Sequence, residues 1–223
     1  MRTASKPTEG TRMLRQSASS TSLSTARRLA RGQSGAVLIE AAIVLPVLIM
    51  ILIGIMEFGL LFTSYSKALG ASRSGARVAA SVYSRATNGS TSSTGPESAT
   101  QTLALAQIVA AVEGDLKGLN NAVPVRMMIF RVASNGEPAG GVNGSCSDRC
   151  ISYTWNTTSK KMIRDSTNKK WPNPQRCLIN NYESIGVFVE IKHDFVTGVF
   201  GSNKFVSGRT SMRLEPGQTT LCS

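Results

Sequence analysis

Between Ala36 and Phe62 the chain reads AVLIEAAIVLPVLIMILIGIMEFGLLF, 27 residues whose only charges are Glu40 and Glu57. Ala41–Met56 carries no polar side chain. As a helix the run extends about 40 Å, against a hydrocarbon core of roughly 30 Å. A stretch this long and this uniformly apolar is predicted to be a transmembrane helix. A secretory signal has about 7–15 apolar residues and a small-residue cleavage site after them; TSYSKALGAS follows here and offers only a weak Ala-Leu-Gly. Arg27-Arg28 suggests a twin-arginine leader, but the apolar run is unusually strong for one. Past the span, Leu69, Ala76, Ala80 and Tyr83 recur at helical spacing, with Arg73 and Arg77 elsewhere on the surface. The helix is therefore expected to continue to about residue 85, weakened at Gly70 and Gly75 by about 1 kcal/mol each.

Residues 86–97 (ATNGSTSSTGPE) read as a linker. A second helix is predicted from Ser98 to Leu119, where Leu105, Ile108, Val109, Val112, Leu116 and Leu119 form one apolar stripe. Strands follow at Val125–Val132, Ile151–Trp155, Ser184–Phe195 and Phe205–Leu214. In the third of these, Ile185, Val187, Val189 and Ile191 alternate with Gly186, Phe188, Glu190 and Lys192. Helices first and then consecutive strands give an α+β class, with residues 98–223 folding as a head around an antiparallel sheet.

Charge changes the picture only through its placement. The 223 residues hold 25 Lys+Arg against 13 Asp+Glu, a net +12, which raises nucleic-acid binding as a possibility. Residues 1–35 contain seven basic residues and one acid, so +6 belongs to that leader and +6 to all the rest. The leader is Ser/Thr-rich without helical or strand period and is expected to be disordered. No specific nucleic acid is expected as a partner. Flanking basic residues balance across the span: Arg27, Arg28 and Arg31 before it, Lys67, Arg73 and Arg77 after it, so they do not orient it.

At the junction the sequence is Arg31-Gly32-Gln33-Ser34-Gly35-Ala36-Val37-Leu38-Ile39-Glu40. A carboxylate at the edge of a bilayer is a functional candidate because lipid penalises the unpaired charge. Were the chain cut after Gly35, the new α-amine of Ala36 could pair with Glu40 of its own or of a neighbouring helix. The second pairing would set axial register between subunits. Glu57 lies near the far membrane face, where an interfacial carboxylate needs no special role, and Pro46 is expected to kink or loosen the helix.

This arrangement resembles the prepilin signature, and GQSGAVLIEAAIVLPVLIMILIGIMEFG is similar to the TadE-like family of tight-adherence (type IVc) pilus proteins. The resemblance continues through SRSGARVAA and returns in GVFVEIKHDFVTGVFG and SMRLEP. It implies a pilin-like build, a long amino-terminal helix half in lipid and half on a small head. It also implies that a prepilin peptidase cuts Gly35–Ala36 and that Glu40 is the position-five glutamate. Ala41 stands where major pilins of this class usually carry an aromatic, which points to a minor pilin or pseudopilin. The implied partners are the peptidase, other pilin-like subunits, the pilus assembly platform and membrane lipid.

Cys146, Cys150, Cys177 and Cys222 all follow the span. An even count outside the cell reads as two disulfides, with Cys146–Cys150 and Cys177–Cys222 favoured among three connectivities. A zinc site is the rival, but the spacing lacks a matching second knuckle. Disulfides also favour a single-pass topology in the bacterial cytoplasmic membrane, amino terminus inside and head outside. Lys160, Lys161, Arg164, Lys169, Lys170 and Arg176, against Asp165, put +5 into residues 160–176, with Trp155 shortly before the segment and Trp171 within it. Such a segment, with its aromatics, could bind DNA, an anionic surface polymer or lipid headgroups, although a solvated loop is the plainer reading. No catalytic constellation is visible, and no cofactor is implied. With one histidine in the chain, His-cluster chemistry is excluded; His193 beside Asp194 reads as a structural strand-end residue. Phe195, Val196, Val199 and Phe200 around Gly198 read either as core or as an exposed apolar tip. The rivals to a pilin are a membrane-anchored binding module outside any filament and an extracytoplasmic enzyme.

Overall fold

The computed structural model describes residues 23–86, 99–133, 135–138, 146, 150–165 and 184–214, with side chains on α1 from Gly35 to Val82. The chain divides into two compact units, Met1–Leu52 and Ile53–Ser223. Helix α1 (Leu23–Ala86) runs through both and contains Pro46 without interruption. Residues 23–35, expected without regular structure, are thus helical. Leu, Ala and Arg are good helix formers, and extending an existing helix avoids the cost of nucleating one. From Gly35 to Leu52 every side chain is exposed. Gly35–Val82 contains the one candidate membrane span among the described residues.

The second unit comprises the rest of α1, helix α2 (Ala99–Asp115) and strands β1 (Ala122–Arg131), β2 (Cys150–Asn156), β3 (Lys161–Arg164), β4 (Ser184–Asp194) and β5 (Asn203–Arg213). The five strands form one antiparallel sheet in the order β3-β2-β1-β4-β5. The α+β class with an antiparallel sheet stands. Helix α2 ends at Asp115, short of the expected Leu119, because Gly114 weakens the last turn and Gly118 adopts φ +74°. Its apolar stripe is nonetheless buried: Leu105, Ile108, Val109, Val112 and Leu116 all lie in the core, with Leu119 at its margin.

On β4, Ile185, Val187, Val189 and Ile191 are wholly buried against the helices, as the alternation requires. Met128, Phe130 and Cys150 form a smaller cluster on the opposite face, bordered by Cys146, Val132 and Phe188. Strand β1 starts earlier than expected, at Ala122, and absorbs Pro124 at a register shift between Pro124 and Arg126. Proline cannot donate to a ladder and is tolerated at such a bulge. On the outer face Arg126 pairs with Glu190 at 2.7 Å and lies over the Phe188 ring.

The face that α1 turns to the head is made of small residues. Ala68, Ala71, Ser72, Gly75, Ala76, Ala79 and Ala80 are buried, whereas Leu69, expected on the inner face, is half-buried. The close approach explains the choice. A Cβ at Gly75 would lie 2.6 Å from a Val112 methyl, and one at Gly208 of β5 would lie 2.4 Å from the Ala68 carbonyl oxygen. Ser72 Oγ and Thr210 Oγ1 share a hydrogen bond of 2.9 Å across the seam. Arg73 and Arg77 point outward as predicted.

Candidate functional site

Two regions carry the residues that bear on function. The first is the junction. Gly35, Ala36, Glu40 and Pro46 all lie on α1 with exposed side chains, and a Cβ at Gly35 would meet nothing within 4 Å. Val37, Leu38, Ile39 and Ile43 around Glu40 are equally exposed, so an apolar helical surface with one carboxylate is offered to whatever surrounds it.

The second region lies at the other end of the apolar run. Strands β4 and β5 pair without a break from Ser184↔Arg213 to Asp194↔Asn203, and the hairpin closes through Phe195–Ser202. Phe195 N–H donates to Ser202 O at 3.1 Å and Gly201 N–H to Gly198 O at 3.2 Å. Gly198 (φ +70°) and Gly201 (φ +113°) take backbone conformations that other residues rarely adopt. This tip lies against α1 at Gly54–Phe58. The Phe200 ring stacks at a tilt on Phe58, centroids 5.3 Å apart, and a Cβ at Gly54 would touch Phe200 at 3.4 Å.

Between these apolar contacts sits Glu57, 1% exposed. Its carboxylate accepts three hydrogen bonds from the tip: Thr197 N–H at 2.6 Å, Thr197 Oγ1–H at 2.7 Å and Val196 N–H at 3.2 Å. The expectation that Glu57 is an incidental interfacial carboxylate is therefore corrected: it fastens the hairpin tip to α1. Two turns further along, Ser64 Oγ donates to Leu60 O at 3.2 Å and lies 2.9 Å from His193 Nδ1. His193 is fully buried, meets Phe195 edge-on at 5.4 Å, and its Nε2 has no hydrogen-bond partner among the described residues.

Sequence reasoning missed this clasp, although a signal was present. Glu57, Ser64, Ala68 and Ala71 recur at i, i+7, i+11 and i+14, a polar-and-small stripe continuing the face that meets the sheet. The apolar tip resolves into both of its readings: Phe200 touches α1, yet Val196, Val199 and Phe200 remain 53%, 55% and 43% exposed.

Cys146 and Cys150 form a disulfide; Cys177 and Cys222 lie outside the described residues. The basic segment is only partly the loop that was expected. Lys160 occupies the β2–β3 turn at φ +52°, with Asn156 Oδ1 accepting Thr158 and Ser159 N–H, and Lys161–Arg164 is the edge strand β3. Burial of Met162 and its backbone bond to Glu113 Oε1 at 2.6 Å hold that strand to α2. Lys160 and Lys161 are exposed and Arg164 is half-buried, whereas Lys169, Lys170 and Arg176 lie outside the described residues. No cluster of metal-ligating side chains occurs among the described residues.

Residues 35–77 match the model of a family described as TadE-like protein. The match runs from the junction glycine through the apolar run to the helix face that packs on the head, and it agrees with the resemblance read from those residues. The blocks near the carboxyl end lie outside it. No curated protein and no solved structure matches the chain.

Proposed function

We propose that this chain, which carries a TadE-like segment at residues 35–77, is a minor pilin or pseudopilin of a tight-adherence (type IVc) pilus. The family match is the observation that supports the reading, and at its coarsest it supports a Tad-pilus-associated protein of structural rather than enzymatic kind. The helix supplies the physical means. Its segment from Gly35 to Leu52 is apolar, long enough to enter a bilayer and unshielded on every side. Such a surface is stable only against lipid or against other helices of the same kind.

In this reading the chain is a substrate for cleavage. A membrane prepilin peptidase removes residues 1–35 on the cytoplasmic side and leaves Ala36 with an α-amine. Gly32 and Gly35 each lower local helix stability by about 1 kcal/mol relative to alanine, which eases opening of this turn for a protease. Glu40 then pairs with an α-amine, its own or that of a neighbouring subunit, which removes two charges that lipid disfavours. The helix joins a bundle of pilin-like helices through the assembly platform, and the disulfide-bonded head faces outward, in pilus biogenesis or adhesion.

The test is the mature amino terminus, read by mass spectrometry from cells carrying the pilus system. A start at Ala36 is expected, and Gly35→Leu should leave the leader attached. A start elsewhere overturns the processing step. An uncleaved chain would favour a membrane-anchored binding module that never enters a filament. Glu40→Ala should be cut normally yet assemble poorly; normal pili in that variant would remove Glu40 from the mechanism.

A further inference from the structure

We infer that the β4–β5 hairpin tip is a second membrane contact, with Val196, Val199 and Phe200 seated in the lipid interface beside α1. The inference rests on the membrane-anchored reading above and adds a surface of the head to it. Helical rise supplies the position. A hydrocarbon core of roughly 30 Å takes about 20 residues of helix, so a span starting at Ala36 leaves the core near residue 55. That is where the tip touches α1, at Gly54, Glu57 and Phe58.

The apolar surface is continuous there. Ile55, Met56, Phe58 and Phe62 of α1 are each more than half exposed, and Phe58 meets Phe200 of the tip. Unbonded backbone N–H groups are what ordinarily keep a loop out of lipid. Here the Phe195 and Gly201 amides bond within the loop, and those of Val196 and Thr197 are bound by Glu57. The clasp thus satisfies both a carboxylate and two amides that lipid would otherwise penalise. No charged residue occurs from Phe195 to Asn203, while Lys192, Asp194 and Lys204 ring the base of the tip. Lys204 is exposed and Lys192 pairs with Asp194 at 3.0 Å, an arrangement suited to headgroup depth.

The experiment uses the full chain in phosphatidylcholine/phosphatidylglycerol vesicles doped with a lipid whose acyl chain carries a carbene precursor. After photolysis, trypsin releases the tip as one peptide, His193–Lys204, and the span as Gly32–Lys67. Thr210–Arg213, from the far end of strand β5, is the reference. The tip should carry about tenfold more lipid adduct per residue than the reference, as expected for side chains lying some 5–10 Å into the interface. Val199→Asp should cut that labelling by about threefold or more and leave the span unchanged. A labelled span with the tip at the reference level overturns the inference alone and turns the patch toward a protein partner. An unlabelled span overturns the membrane reading itself.

Discussion

Gly208→Ala adds one methyl group where the structure has no room for it. Its Cβ would lie 2.4 Å from the Ala68 carbonyl oxygen and 2.5 Å from the Ala68 carbonyl carbon and the Leu69 nitrogen. All three are backbone atoms of a helix, so no side chain can swing aside. Restoring an ordinary carbon–oxygen contact requires α1 and β5 to part by about 0.8 Å, a gap that forfeits a quarter to a half of each dispersion contact along the seam. Overpacking of this kind costs about 1–3 kcal/mol. Stretching the 2.9 Å bond between Ser72 and Thr210 out of range removes about 1 kcal/mol more. The sum, about 2–4 kcal/mol, lowers Tm by about 4–16 °C for a unit the size of Ile53–Ser223. Thermal unfolding of the full chain in detergent, followed by near-UV circular dichroism, measures it. Gly70→Ala is the paired control: the site is helical and open, so the variant should gain about 0.5–1 kcal/mol and raise Tm slightly. A Gly208→Ala protein within about 2 °C of the parent would show that the small-residue seam does not set the helix–sheet distance.

Glu57→Ala should free the Val196 and Thr197 amides, seen as faster hydrogen exchange at those two positions than in the parent; Glu57→Gln, which keeps one acceptor oxygen, should fall between. Unchanged exchange in the alanine variant would remove the clasp. Arg209 holds the Glu137 carboxyl below the usual carboxylate range, so the pair is formed above the unfolded value and is lost as pH falls through the lower folded one. An NMR titration should therefore place Glu137 below the ordinary glutamate value, and Arg209→Ala should bring it back. Replacing both Cys146 and Cys150 by alanine opens a very short loop, for which chain entropy predicts a loss of about 2 kcal/mol, measurable by denaturant unfolding under non-reducing conditions.

Much of this architecture was legible in the chain because it is written in local periodicity. The apolar run from Ala36 to Phe62 reports a helix apolar all round, while the stripe Leu105–Leu116 and the alternation of β4 each report one face of one element, and burial follows those two faces. β3 was hidden because four residues carry too little alternation to separate a strand from the basic loop around it, and it is held by α2 through Glu113 and Met162. The early end of α2 and the bulged start of β1 escaped for a related reason: Gly118 and Pro124 act through backbone geometry that the apolar pattern does not record.

The sequence by itself determined that there is one candidate span, a TadE-like junction at Gly35–Glu40, and an α+β head after it, since each follows from neighbours within a few turns. Tertiary structure alone decided what the polar residues at the head end of the span are for. Glu57 meets Val196 and Thr197, and Ser64 meets His193, across separations of 129 to 140 residues. No periodicity encodes such a meeting. It arises because α1 lies on a sheet whose β4–β5 hairpin, at one edge, is long enough to reach the apolar run, where a buried carboxylate is tolerable only with donors brought to it.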